Sequence, residues 1–235
     1  MTKFLEKYGI SQSTVKVIAV ISMLIDHVGA VLFPQYFIMR KIGRIAFPLY
    51  CFLIVEGYFH TRDKYKYALR LLAFAFISEI PFDLAFRKRW FYPYSNNVFI
   101  TLLLGLAAIW AFDVIIKKSK YFVPIAIIVA ACFAYCANRL HSDYGWFGVA
   151  LIVVFYIFRD FKPLIILPFA LLVFLYTGVY QGRLDHVENL CLIAYIPIFL
   201  YNGTKGKIRL KYVFYAFYPA HLLIIYLLYI FFFAA

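Results

Sequence analysis

The sequence predicts an all-α membrane protein, a polytopic transmembrane helical bundle, from its composition and from the spacing of its apolar runs. Of the 235 residues, 66% are hydrophobic and 22% are aromatic, and the mean hydropathy is +0.84. These values lie well above those of an ordinary soluble domain. Apolar runs recur along the whole chain, and about nine of them approach the roughly 20 residues that a helix needs to cross the hydrocarbon core. We expect a single domain over residues 1–235.

The expected spans follow one another with short polar connections between them. They lie near 15–33, 43–60, 67–86, 98–116, 121–137, 144–158, 163–180, 187–201 and 212–233. The sixth and eighth are short for a full crossing, so each is expected either as a tilted helix in the bundle interior or as a re-entrant segment. The first run is too long and too polar for a cleavable signal peptide, so we expect it to remain in the mature protein.

The basic residues predict the orientation of the chain. Connections on the cytoplasmic side collect Lys and Arg. With nine crossings and a cytoplasmic N-terminus, about two thirds of the 24 basic residues fall on the inner side, which leaves the C-terminus outside the cell membrane. The same bias, with attraction to anionic lipid headgroups, accounts for the net charge of +13. Nucleic acid is therefore not an expected partner.

The four cysteines predict neither disulfides nor a metal site. They all lie in apolar runs, without a Cys-x-x-Cys pair or a nearby His at metal-ligand spacing, and we interpret them as small core residues. These residues are Cys51, Cys132, Cys136 and Cys191.

Ionisable residues inside the spans are the main functional signal, because each costs roughly 2.5–3.5 kcal/mol near the bilayer centre unless it has a partner or a wet cavity. Asp26 and His27 lie side by side in the first span. Adjacent helical positions diverge by about 100°, so we expect them to have different partners. Arg40 and Arg44 open the second span, and an ion pair of Asp26 with either one is a purely structural explanation.

Further polar residues fall in or beside other spans. Glu56 and His60 lie one turn apart and are expected either as a buried pair or as part of a binding site. Asp143, in "HSDYGWFG", is either a helix N-cap or a site residue. His221 follows Pro219 in the last span and either contacts a ligand or is a satisfied structural residue.

Several stretches, taken together and in order, resemble the TraX family, which is named for the F-pilin acetylase. They are "MLIDHVGAVLFP", "RKIGRIAFPLYCFLIVEGYFHTRDKYKYALRLL", "SEIPFD", "SDYGWFGV", "YNGTKGK" and "FYAFYPAHL". That family is similar in turn to the acyltransferase 3 group, in which a first-helix His and a following Arg pair serve acetyl transfer. The resemblance implies acetyl-CoA as the donor, with His27, Arg40 and Arg44 at the corresponding positions. The two arginines are one residue further apart than the Arg-x-x-Arg of that group.

Acetyl transfer assigns a role to each residue type. His27 is expected as general base, or as the carrier of an acetyl-His intermediate, with Asp26 or Glu56 stabilising the imidazolium and Arg40 or Arg44 the oxyanion. Inner basic residues are expected to hold the coenzyme A phosphates, namely Arg62, Lys64 and Lys205. The residues expected to contact the acceptor are His60, Asp143, Tyr144, Asn202, Tyr218 and His221. The acceptor is either a peptide N-terminus such as that of a pilin or a surface glycan hydroxyl, and it enters from the outer face or from the lipid.

Two other classes of function compete with this hypothesis. A proton-coupled transporter would use Asp26, His27 and Glu56 as a relay, but the sequence has no visible inverted repeat and an odd number of expected spans. An assembly protein without chemistry would not need so many interior charges. The acetyltransferase hypothesis predicts that His27, Arg44 and Glu56 line one shared cavity.

Overall fold

The computed structural model describes residues 8–180, 186–206 and 211–233, and within these ranges it contains helices and no strand. The predicted all-α fold is therefore confirmed for the described part of the chain. The helices are α1 Gln12–Val31, α2 Phe37–Gly43, α3 Ala46–His60, α4 Lys64–Arg87, α5 Val98–Lys118, α6 Val123–Arg139, α7 Gly145–Ile157, α8 Ile166–Phe174, α9 His186–Asn189, α10 Tyr195–Leu200 and α11 Lys211–Phe233. A 3-10 turn precedes each of α6, α8 and α10, and a π-helical turn, Leu175–Tyr180, follows α8.

Every expected span coincides with a helical segment, but the count of nine spans is not confirmed. Among the described residues, five segments are long and apolar enough to cross a membrane: Gln12–Val31, Val98–Lys118, Lys120–Arg139, Lys162–Val179 and Phe214–Phe233. Helix α3 has 15 residues and α7 has 13, which is short for a full crossing. Helix α4 has 24 residues but carries charged side chains along its length. Of the basic residues that enter the orientation prediction, five lie outside the described residues: Lys3, Lys7, Arg183, Lys207 and Arg209.

Polar side chains in the connections define where several helices begin. The hydroxyl of Ser11 accepts a hydrogen bond from the backbone N–H of Thr14 at the start of α1. Asp63 and Asn97 accept backbone N–H groups in the same way at the starts of α4 and α5. These caps satisfy N–H groups that the first turn leaves without an intrahelical partner. Pro81 and Pro219 lie inside α4 and α11 without ending either helix.

Two glycines let α1 and α2 pack closely as a hairpin. A Cβ atom added to Gly43 would lie 2.1 Å from the Cβ of Asp26, and one added to Gly29 would lie 2.6 Å from the Cβ of Met39. Real Cβ atoms do not approach other atoms this closely, so both positions need a residue without a side chain. The hairpin holds Asp26 against the segment that carries the two arginines.

Helices α1 and α11 run parallel to each other. The Lys16 ammonium lies 5.6 Å from the ring of Phe214 at the start of both helices, and the rings of Phe33 and Phe233 are 5.8 Å apart at their ends. The start of α1 and the end of α11 therefore lie at opposite ends of the bundle. The orientation of the chain in a membrane stays a prediction.

The cysteines only partly follow the prediction. Cys51 and Cys191 are buried, whereas Cys132 and Cys136 are exposed on α6, so the interpretation as core residues is wrong for that pair. Helix α6 packs through a stripe of small side chains, Ala126, Ala130 and Ala137, and the two exposed cysteines lie on a different face of the same helix.

Candidate functional site, a polar cavity in the helical bundle

A cavity of about 640 Å³ lies between α1, α2, α3, α4, α5 and α11. On α1 its lining runs from Gln12 to His27, a distance of roughly 22 Å at 1.5 Å per residue. The lining continues past His27 to Arg87, Ser95 and Asp143. The cavity therefore follows the bundle axis for much of its length.

Most of the charged side chains that line the cavity are basic. The described lining residues include six basic residues, Lys16, Arg40, Arg44, Arg70, Arg87 and Lys205, and two acidic residues, Asp26 and Asp143. A cleft with walls of one predominant sign concentrates ligands of the opposite charge. An anionic ligand is the kind that this electrostatic field favours.

One end of the cavity, called here the basic end, is formed by Lys16, Arg70 and Lys205. The hydroxyl of Ser13 donates a hydrogen bond of 2.8 Å to the carbonyl of Lys205, which holds that connection against the start of α1. The guanidinium of Arg70 lies over the ring of Tyr67 at 5.7 Å. The lining at this end is without a carboxylate among the described residues.

Further along the cavity, four charged residues form what we call the charge cluster: Asp26, Arg40, Arg44 and Glu188. Asp26 accepts from Arg40 at 2.5 Å and from Arg44 at 2.8 Å, and the other side of the Arg44 guanidinium reaches Glu188 at 2.9 Å. The predicted ion pair of Asp26 is confirmed, with both arginines rather than one. The cluster contains two carboxylates and two guanidinium groups, so its formal charges balance.

The two arginines differ in how many of their N–H groups are hydrogen-bonded. Arg44 is 8% exposed and donates from both terminal nitrogens to carboxylates, while its Nε is buried and has no partner among the described residues. The side chain of Arg40 is 32% exposed, and only its Nη1 is bonded within the described residues, to Asp26. Arg40, which lines the cavity, therefore retains N–H groups that have no partner among the described residues.

Sequence reasoning missed Glu188. It is the one acidic residue in the eighth apolar run, 187–201, and the criterion that singled out Asp26 would have found it there.

His27 contacts a different partner from that of Asp26, as predicted. Its Nδ1 lies 2.7 Å from Nε2 of His221, and Nδ1 of His221 lies 2.6 Å from the backbone carbonyl of Phe217. The two imidazole rings are nearly parallel, at 5°. Phe86 and Tyr218 pack edge-on against His27 at 5.2 and 5.9 Å, and both, like His27, line the cavity.

Asp143 and Tyr144 lie at the end of the cavity opposite the basic end. Tyr144, not Asp143, is the N-cap residue of α7, with φ 62° and its ring stacked on Phe47 at 3.6 Å. The hydroxyl of Thr101 donates to the backbone carbonyl of Asp143, while the Asp143 carboxylate has no hydrogen bond or ion pair with a described residue. This carboxylate is exposed to the cavity but enclosed by protein, and the resulting desolvation raises its pKa to about 6.

The structure places Glu56 outside the cavity lining. Its carboxylate is buried between Nε of Arg159 at 2.8 Å and the hydroxyl of Tyr201 at 2.9 Å. His60 lines the cavity at the basic end and is held by the backbone carbonyl of Glu56, with the two side chains 3.7 Å apart. The expectation of a shared cavity therefore holds for His27 and Arg44 and is wrong for Glu56, because its side chain turns toward α7 and the connection after α10.

The remaining predicted residues are divided between the cavity and the surrounding structure. Tyr218 lines the cavity beside His27, whereas Asn202 donates to the carbonyl of Gly9 and shapes its own connection. Of the three residues predicted to hold phosphates, Lys205 lines the cavity. Arg62 is exposed away from the lining, and Lys64 pairs with Asp113 at 3.5 Å. The sequence analysis did not single out Lys16 and Arg70 for this role.

Long apolar helices around a charged internal cavity define a helical membrane protein with a polar site in its interior. The chain belongs to the TraX protein family, whose sequence model matches residues 11–229, as its motifs predicted.

Two relatives are similar over much of the chain. The "probable fimbrial assembly protein FimC, serogroup H1" of Dichelobacter nodosus is 32% identical over 230 residues, which cover 88% of this chain and 91% of that protein. The "uncharacterized protein RP591" of Rickettsia prowazekii (strain Madrid E) is 30% identical over 153 residues, 64% of this chain and 57% of that protein. No solved structure matches.

Proposed function

We propose that this protein is an integral membrane acetyltransferase that moves an acetyl group from cytosolic acetyl-CoA to an acceptor at the opposite end of the cavity. The observation that carries the proposal is one continuous cavity that joins the basic end to His27 and Arg40. Membership of a family named for a pilin acetylase supports it, as does similarity to a probable fimbrial assembly protein. The acceptor would then belong to a surface structure such as a pilus.

The donor enters at the basic end. Coenzyme A carries several phosphates, and Lys16, Arg70 and Lys205 offer three cations at an end of the cavity whose described lining has no carboxylate. From there the narrow pantetheine arm follows the cavity toward His27, past apolar walls such as Leu53 and Ile54. Because acetyl-CoA is made in the cytoplasm, this route puts the basic end and the N-terminus on the cytoplasmic side.

In the transfer step His27 acts as general base. Its imidazole removes a proton from the acceptor as the acceptor nitrogen or oxygen attacks the thioester carbonyl, which forms a tetrahedral oxyanion. Arg40 stabilises that oxyanion with its free N–H groups, while Arg44 anchors the charge cluster. The carbon–sulfur bond then breaks, the acceptor keeps the acetyl group, and the coenzyme A thiolate leaves and takes the proton back from His27.

Asp143 favours an amine acceptor over a hydroxyl. Its carboxylate lies at the end of the cavity away from the donor and forms no ion pair with a described residue. The charges of Arg44 and Arg40 act on it only from beyond ion-pair distance. A peptide N-terminus enters as an ammonium group, which supplies an ion-pair partner and releases one proton to water before the neutral amine attacks. A neutral sugar hydroxyl supplies no such charge. Tyr144 and Tyr218, which also line the cavity, would contact the rest of the acceptor.

Binding of the donor is tested by calorimetry with coenzyme A and the purified protein in detergent. We expect Lys16→Gln and Lys205→Gln to weaken binding by about tenfold each, the loss of one charge-assisted phosphate contact. Lys118→Gln is the matched control, because Lys118 ends α5 away from the cavity lining. Equal affinities of all three variants would contradict the assignment of the basic end.

Transfer is tested with labelled acetyl-CoA, protein reconstituted in vesicles, and cell-envelope fractions as the source of acceptor. Loss of a general base costs about 10²–10⁴-fold in rate, so His27→Ala should lose that much. Asp160→Asn, at a side chain that is 95% exposed, should retain the wild-type rate. If wild-type protein labels no envelope component, the proposed function is wrong.

A further inference from the structure

A chain of two hydrogen bonds connects His27 to the backbone of α11 through His221. We propose that His221 is a positioning residue that holds His27 in the tautomer whose Nε2 is unprotonated and available in the cavity. This inference rests on the proposed function, in which His27 is the base. His221 is 4% exposed and lies outside the cavity lining. In this role it contributes to the reaction through His27 and does not contact the substrate.

The direction of the two hydrogen bonds follows from the chemistry of their end point. A backbone carbonyl accepts hydrogen bonds and cannot donate them, so Nδ1 of His221, at 2.6 Å from the carbonyl of Phe217, carries a hydrogen. A neutral imidazole has one N–H, which leaves Nε2 of His221 as an acceptor. The 2.7 Å contact with His27 is therefore donated by Nδ1–H of His27.

The same rule then determines the state of the other nitrogen of His27. With its single hydrogen on Nδ1, a neutral His27 has a lone pair on Nε2. The described residues offer that atom no hydrogen-bond partner, and the His27 ring lines the cavity. The lone pair is thus free for the proton of an acceptor.

The opposite tautomer would remove this ability, because a nitrogen that already carries a hydrogen cannot act as a base. Where a carboxylate sets the tautomer of a catalytic histidine in serine proteases, loss of that control costs about 10⁴-fold. A neutral histidine in the same position avoids burying another charge beside the cluster of Asp26 and the two arginines. After His27 takes a proton, its Nδ1–H bond to His221 becomes charge-assisted and stronger.

The tautomer is measured directly by nitrogen-15 NMR on wild-type protein labelled at histidine, at pH 8, with the His27 signals identified by their loss in His27→Gln. We expect a protonated Nδ1 and an unprotonated Nε2. A signal from Nε2–H, alone or together with Nδ1–H, would overturn the inference. Because this readout does not require acetyl transfer, it separates the two proposals. The expected tautomer without any transfer counts against the proposed function, and the opposite tautomer with transfer intact counts against the role of His221.

Two variants test whether His221 sets this state. His221→Gln keeps an amide oxygen that can accept from Nδ1–H of His27, whereas His221→Leu offers no acceptor. We expect the Gln variant to retain the His27 tautomer and to transfer acetyl groups at a rate within about tenfold of wild type. We expect the Leu variant to show mixed tautomers and a transfer rate lower by about 10²–10⁴-fold, the range of a lost general base. Coenzyme A affinity at the basic end reports whether each variant is folded. A folded Leu variant with the wild-type tautomer and rate would overturn the inference.

Discussion

Removal of the Asp26 carboxylate is the perturbation whose effect on stability follows most directly from the charge cluster. In Asp26→Asn, Arg40 and Arg44 keep their charges, but Arg44 then pairs only with Glu188 and Arg40 has no carboxylate partner among the described residues. The Asp26 and Arg44 side chains are 9% and 8% exposed, so water compensates little for the loss. Breaking a buried pair on one side costs about 3–5 kcal/mol, and we expect this decrease in the free energy of unfolding, measured by denaturation in mixed detergent micelles.

A surface carboxylate provides the control for this prediction. Asp160 pairs with Arg159 but is 95% exposed, and an exposed pair contributes about 0–1 kcal/mol. We expect Asp160→Asn to stay within that range. Adding Arg40→Gln to Asp26→Asn removes the surplus positive charge and should restore part of the lost stability. Equal unfolding free energies for Asp26→Asn and Asp160→Asn would refute the reasoning, since the Asp26 pairs would then contribute no more than a surface pair.

Three further predictions concern other parts of the site. Gly43→Ala should lower both stability and acetyl transfer in the same assays, because its Cβ would lie 2.1 Å from that of Asp26; wild-type values would exclude the close approach. Glu56→Gln should lower the unfolding free energy by about 3 kcal/mol, because Arg159 then loses its buried carboxylate partner and keeps only the exposed Asp160, and no change would mean that the pair is solvated. The pKa of Asp143 in the folded protein, about 6, is above that of an unfolded aspartate, so this group favours the folded state increasingly as pH falls through 6 toward 4. Melting temperatures at pH 7.5 and 5 should show this contribution in wild type and its absence in Asp143→Asn; identical pH dependence in both proteins would contradict it.

The helices and the presence of a polar interior site could be predicted from local properties of the chain. An apolar run predicts a helix because backbone groups in lipid must be satisfied within the segment, and each expected run is helical where it is described. The divergent partners of Asp26 and His27 follow from the 3.6-residue turn alone. The ion pair of Asp26 with the arginines was also predictable, because the connection between α1 and α2 is short and returns the chain beside itself.

Pairings between distant segments depended on how the helices rotate about their axes, which apolar patterning does not specify when a helix is hydrophobic on all sides. His27 meets His221, 194 residues away, and Arg44 meets Glu188, 144 residues away. Glu56 and His60 share a helix face by spacing, yet the structure turns the Glu56 carboxylate to Arg159 and leaves His60 at the cavity. The sequence by itself determined that charges lie within an apolar bundle, because composition and periodicity are local. Only the tertiary structure decided which of them meet in one cavity, because that depends on the packing of side chains between helices far apart in the chain.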